Sequence, residues 1–215
     1  MNSWLQIVLI GTTLSTTFVS ASGKSRREIG PEPTVCVRFY NQAQVQAGML
    51  KWAKIEATRI FKTAGVIVAW QQSATDSPEA HRIDLSTAAF QTFDDRHCIV
   101  VRVLPRTPAN LLPGALGFAL PFAQGGSHVS IFYDRVESVA RAANTAIYVV
   151  LGHAMAHEIG HVLLRSSEHS TAGLMQGRWN GATWRFASNG LLAFLPEQAD
   201  QLRRTVAVQG RGQPK

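Results

Sequence analysis

The chain has 215 residues, 46% of them hydrophobic, enough for one core of ordinary size and too few to make two independent domains the default. Lys and Arg exceed Asp and Glu by 21 to 14, giving a formal charge of +7 although only 16% of residues are charged, so the chain should tend toward acidic partners or surfaces. The cations are scattered and no basic motif is interleaved with aromatics, which argues against a dedicated nucleic-acid binder and for a solvated basic surface.

The chain opens on an apolar run from Trp4 to Leu14, a Thr/Ser stretch, and small residues at Val19 and Ala21 that suit a signal peptidase. Residues 1–21 are therefore read as a secretory signal, although no Lys or Arg precedes the apolar run, and the mature chain as extracellular or periplasmic. The run is too short for a spanning helix, and no transmembrane segment is expected. A polar, proline-bearing lead-in follows over 22–33. Val35–Tyr40 alternates like a strand, Gln44–Ala64 recurs like a helix through Met49, Leu50, Ala53, Ile60 and Phe61, and Gly65 closes it. Val66–Trp70 is a short β-branched strand, so the opening is a β-α-β unit with a parallel pair. A polar loop over Gln71–Glu79 and a weakly patterned stretch over Arg82–Thr92 lead to Cys98–Leu104, a near-continuous apolar strand of the kind found in mid-sheet.

Thr107–Gly126 carries three prolines and four glycines around the apolar run Gly114–Leu120, a candidate edge strand. Val129–Tyr133 is a further strand. From Ala142 to Leu164 the chain is apolar without proline, a long buried helix. Another helix starts at Pro196 and runs to about Val206, with Glu197 and Asp200 in its first turns, and Gln209–Lys215 reads as a frayed tail. The fold class is α/β, in one domain over 34–208 and without internal repeats. Cys36 and Cys98 fit an exported chain with one disulfide, though two buried thiols fit the spacing equally well.

Late in the long helix stands His157-Glu158-Ile159-Gly160-His161. Residues four apart share a helix face, so both imidazoles can reach one ion, with Glu158 set to the side. Neutral imidazoles on Zn2+ bring the pKa of its water down toward ~7, and a neighbouring carboxylate can take the proton as that water attacks a polarised carbonyl. A bare HExxH arises by chance in roughly one such chain in a hundred, but here the helix is otherwise apolar, and buried His and Glu without partners are costly. A catalytic zinc needs a third protein ligand, and His169 follows the helix end. Glu168, or Glu197 and Asp200 on the last helix, are the other candidates. His153, one turn before His157, is either an orienting neighbour or a core histidine. Six residues after His169, a Gly-containing turn ends in Met175.

The stretch HEIGHVLLRSSEHSTAGLM resembles the zinc-binding segment of the metzincins, where a helix-borne HExxH is followed by a third His and a Met-turn beneath the metal. The resemblance implies His157, His161 and His169 as zinc ligands, Glu158 as general base, and Met175 as the Met-turn residue. It further implies a mixed twisted sheet with a long metal-binding helix, a C-terminal helix, one zinc ion, and a monomeric endopeptidase acting on peptides or proteins. This chain departs from the usual pattern at Leu164 and Ser167, where Gly and His are expected, so that the third His comes two residues late. Gly177 stands where astacins carry a Tyr ligand. By the same resemblance Gly114, Ala115, Leu116, Gly117 and Phe118 belong to the edge strand that receives substrate, Trp179 with Trp184 walls the pocket beyond the scissile bond, and Cys36 and Cys98 lie on neighbouring parallel strands. The competing reading is a secreted zinc-binding module on the same fold with little catalysis; a further one is a basic envelope-binding protein whose HExxH is incidental.

Overall fold

The computed structural model describes residues 32–72, 98–109, 114–121 and 127–211. The expected signal segment, most of the lead-in, the loop beyond residue 72 and the weakly patterned stretch to Thr92 lie outside these residues. The described elements are β1 (Thr34–Asn41), α1 (Ala47–Thr63), β2 (Ile67–Gln72), β3 (Ile99–Leu104), β4 (Gly117–Leu120), β5 (His128–Phe132), α2 (Tyr133–Ala142), α3 (Ile147–Leu164), α4 (Gly181–Ser188) and α5 (Pro196–Arg211). The strands form one mixed sheet in the order β2-β1-β3-β5-β4, with β4 antiparallel at one edge and the other neighbours parallel. This is the mixed α/β architecture expected from the sequence.

Alternation decides which strand face is buried. Val35, Val37 and Phe39 of β1, Val101 and Val103 of β3, and Val129 and Ile131 of β5 belong to the buried core with Ala53, Ala57, Ile60 and Phe61 of α1. Helix α3 completes that core. It is buried from Val149 to Leu164 without a break, as expected of a helix apolar on all sides. Among the described residues it is also the one helix long and apolar enough to cross a membrane, but 89% of it is enclosed by the fold. The α1 and α3 backbones approach closely at Gly152, where an added Cβ would stand 2.8 Å from the Ala53 carbonyl oxygen.

Parallel pairing of β1 with β3 sets Val37 beside Ile99, and one residue earlier the same register sets Cys36 beside Cys98. The two are joined as a disulfide with a Cα separation of 4.6 Å.

Several boundaries differ from the sequence reading, and one helix is added. The long helix begins at Ile147, because Asn144 takes a left-handed conformation (φ 49°) and interrupts the chain after α2. Tyr133 opens α2 and does not end β5. Helix α4 was not expected; Asn180 and Thr183 form a capping box at its start. Helix α5 continues to Arg211, so residues 209–211 are helical where a frayed tail was expected.

Candidate metal centre

Three of the four histidines relevant to the site lie on one face of α3, at the four-residue spacing of His153, His157 and His161. The helix stops at Arg165, which adopts a left-handed conformation (φ 51°) while Ser166 N–H donates to the His161 carbonyl, 3.2 Å. The chain then doubles back, and His169 arrives beside the other two. Its neighbour Ser170 forms an isolated parallel bridge with Gln176, and Ser170 N–H donates to the Met175 carbonyl at 2.9 Å.

One ring nitrogen from each of His157, His161 and His169 lies within 4.8 Å of the other two. His161 Nε2 is 3.1 Å from His157 Nε2 and 3.3 Å from His169 Nε2. The outer nitrogens of the helical pair fix the tautomers. His157 Nδ1–H donates to the Leu174 carbonyl at 2.8 Å, and His161 Nδ1–H donates to the Ser166 carbonyl at 2.7 Å. A carbonyl can only accept, so each proton sits on Nδ1 and each Nε2 turns a lone pair inward. Lone pairs at such distances repel unless a cation lies among them. Zn–N bonds of about 2.0–2.1 Å at tetrahedral angles would put neighbouring nitrogens roughly 3.3 Å apart, so the observed spacing suits zinc.

Burial supports the same chemistry. It pushes His157 down to about 3, helped by His161 and His169 and opposed by the Leu174 carbonyl, and it lowers His161 as well. Both imidazoles are thus held neutral, the form that ligates a metal. Burial pushes the carboxyl of Glu158 up to about 8 in the metal-free chain. A nearby cation acts in the opposite direction and favours the carboxylate.

Each remaining residue singled out from the sequence has a definite place. Met175 is 1% exposed and lies against the turn of α3 that carries Gly160, where an added Cβ would be 2.7 Å from Met175 Sδ. Gly117 lies against Glu158: a Cβ there would stand 2.7 Å from Glu158 Cγ and 3.0 Å from Oε1. Elsewhere on the segment, Gly114 turns the chain at φ 88°, the Ala115 carbonyl accepts from Arg135 at 2.7 Å, the Leu116 carbonyl accepts from Phe132 N–H, and Phe118 is exposed. The strand itself starts at Gly117. Trp179 is half-buried and packs edge-on to His157, His153 and Trp184, with centroids 5.3, 6.3 and 4.9 Å away.

His153 is wholly buried and donates Nδ1–H to the Val149 carbonyl at 2.8 Å; its Nε2 is 3.7 Å from Glu56 Oε1. It does not join the cluster. Nor do the alternative carboxylates: among the described residues only the three histidines converge, and Asp200 pairs instead with Arg203. The sequence reading did not find the Leu174 and Ser166 carbonyls or the small residues Gly160 and Gly177 as parts of the site. The Ser166 carbonyl depends on the left-handed turn at Arg165, and the others on packing between segments distant in sequence or across the turn, so no spacing marks them.

No protein-family model and no curated protein matches the chain. Among solved structures its fold is similar to that of a zinc-dependent peptidase from Methanocorpusculum labreanum (strain Z), with a TM-score of 0.51 and 15% identity, over 77% of this chain and 99% of that one. At that identity the likeness is one of fold.

Proposed function

We propose that the chain is an exported, zinc-dependent endopeptidase of the metzincin kind, with His157, His161 and His169 as ligands and Glu158 as general base. The observation that carries this reading is the inward convergence of three imidazoles, two of them locked as Nδ1–H tautomers by backbone carbonyls. Likeness of fold to a zinc-dependent peptidase supports it independently.

Zinc bound there supplies a Lewis acid that polarises a peptide carbonyl and acidifies water near neutral pH. The chain's own residues supply the rest. Glu158 takes the proton of the attacking water as the C–O bond forms, and passes it to the departing amine nitrogen as the peptide C–N bond then breaks. Gly117 leaves the carboxylate its space. Strand β4 is at the edge of the described sheet, where an extended peptide can add by backbone hydrogen bonds. Trp179, against His157, borders the pocket that receives the residue beyond the scissile bond. The disulfide fits an oxidising compartment, in agreement with secretion.

The test is metal analysis of the purified protein together with digestion of a peptide library with and without chelator. One zinc per chain and chelator-sensitive cleavage are expected. Glu158→Gln keeps the side chain's size, so zinc should stay bound while cleavage falls roughly 10²- to 10⁴-fold. Full zinc occupancy without cleavage of any peptide would make the chain a zinc-binding module instead. Cleavage by Glu158→Gln at the wild-type rate would refute the general-base role.

A further inference from the structure

Of the three imidazoles, His169 has the least to hold it. His157 and His161 stand on a helix and are each anchored by a carbonyl, whereas His169 lies on the connecting loop and is exposed. Among the described residues no carbonyl accepts from its Nδ1. Its ring stacks on that of His157 at 5.3 Å and 21°, and meets that of His161 edge-on at 4.9 Å. Behind the ring is Gly177. A Cβ built there would stand 3.1 Å from His169 Cγ, 3.2 Å from its Cβ and 3.3 Å from Nδ1. Ordinary carbon contacts are about 3.5–4.0 Å, so a side chain at 177 would require the ring to give by a few tenths of an ångström.

The bridge between Ser170 and Gln176, with the Ser170 N–H bond to the Met175 carbonyl, holds the two segments side by side, and Gly177 stands diagonally across this parallel bridge from His169. Among the described residues the glycines with positive φ are Gly65, Gly114, Gly173 and Gly190, and Gly177 is not one of them. Its backbone φ does not stand against alanine, and what crowds an added side chain is the imidazole.

We propose that Gly177 is a positioning residue for the third zinc ligand, its missing side chain forming the seat against which the His169 ring is set. The proposal rests on the zinc-site reading above. It explains how a connection two residues longer than the metzincin pattern can still deliver a ligand from an exposed loop. In the metal-free chain the ring can swing outward from an added methyl group. With zinc bound, the same movement lengthens or bends the bond to Nε2. A side chain at 177 therefore acts on the metal-bound state and leaves the metal-free fold unchanged.

The experiment is a double-mutant cycle read by zinc affinity, from competition with a chelator, and by urea unfolding of the metal-free proteins. Gly177→Ala is expected to weaken zinc binding roughly 10- to 100-fold, the range found when groups that orient a ligand are disturbed, with an unchanged urea midpoint without metal. Gly177→Val should weaken it further. In a His169→Ala background, Gly177→Ala should have no additional effect. Wild-type affinity in Gly177→Ala, or an equal loss in both backgrounds, overturns the proposal. His169→Ala binding zinc as tightly as wild type would overturn it too, through the third ligand, while leaving His157 and His161 in place. A wild type that takes up no zinc overturns the proposed function and the seat together.

Discussion

Glycine to alanine inside a helix ordinarily stabilises a protein, by up to roughly 1 kcal/mol. At Gly160 the opposite is expected. A Cβ there would be 2.7 Å from Met175 Sδ, 2.8 Å from Phe194 Cε1 and 3.2 Å from its Cζ. The first two contacts are about 1 Å inside the optimal separation for non-bonded heavy atoms. Neither neighbour can swing into solvent, since Met175 is 1% and Phe194 8% exposed. Overpacking of this kind costs roughly 1–3 kcal/mol; with contact on two sides we take about 3, less about 1 regained in helix propensity, leaving a net loss of about 2 kcal/mol. Relief of the clash moves Met175 and the adjoining Leu174, whose carbonyl anchors His157 at 2.8 Å, so zinc affinity should fall as well. Urea unfolding of the metal-free protein measures the first effect and chelator competition the second. Gly48 in α1 is the internal control, because nothing lies within 4 Å of its added Cβ, and Gly48→Ala should stabilise. If Gly160→Ala is as stable as wild type or more so, the packing of the turn against α3 is not as described.

The Cys36–Cys98 disulfide spans a sequence separation of 62, and loop-closure entropy for a ring of that size gives about 4 kcal/mol; replacing both cysteines by serine should lower the urea midpoint accordingly. A second expectation concerns pH in the metal-free protein. His157, depressed by burial from 6.5 to about 3, contributes stability present above 6.5 and lost as pH falls toward 3. Glu158, raised by burial from 4.5 to about 8, contributes stability present below 4.5 and lost as pH rises toward 8. Between about 4.5 and 6.5 the two slopes cancel, so stability from this pair should be flat there and fall on both sides. His153 and His161, also depressed from 6.5, add a loss of stability as pH falls below 6.5, so the measured curve should decline toward acid from there. Unfolding curves in chelator across pH 3–9 test this, and a stability that rises between pH 6.5 and 8 without metal would contradict the burial of Glu158.

Much of this was visible in the sequence because it rests on local periodicity. The four-residue spacing of His157 and His161, the β-α-β opening and the all-round apolar helix each carry a period that only one backbone geometry satisfies. Elements were missed where local signals conflicted. The stretch Ala142–Ala146 holds no Gly or Pro, so a break at Asn144, adopted through a left-handed residue, leaves no mark in composition. Tyr133 continues an apolar run and was read with the strand, though the chain turns there into α2. The capping box at α4 uses Thr183 in place of the usual Glu or Gln, which hid the helix start. The supports of the site were out of reach for a different reason. Leu174 meets His157 across 17 residues, and Gly117 meets Glu158 from another layer, so neither leaves a periodic trace.

Every imidazole of the cluster precedes residue 170, and apart from the Ser166 carbonyl on His161 what holds them comes later in the chain. The Leu174 amide is tied to the Ala193 carbonyl at 2.7 Å, Gly173 is covered by Leu195, and Gln201 of α5 donates to the Leu164 carbonyl at the end of the metal helix. Leu202 and Val206 then close the core over that helix. On the proposed zinc reading, a nascent chain that has emerged only as far as His169 would carry the three imidazoles without the later segments that pack against them, so metal capture would follow completion of the fold.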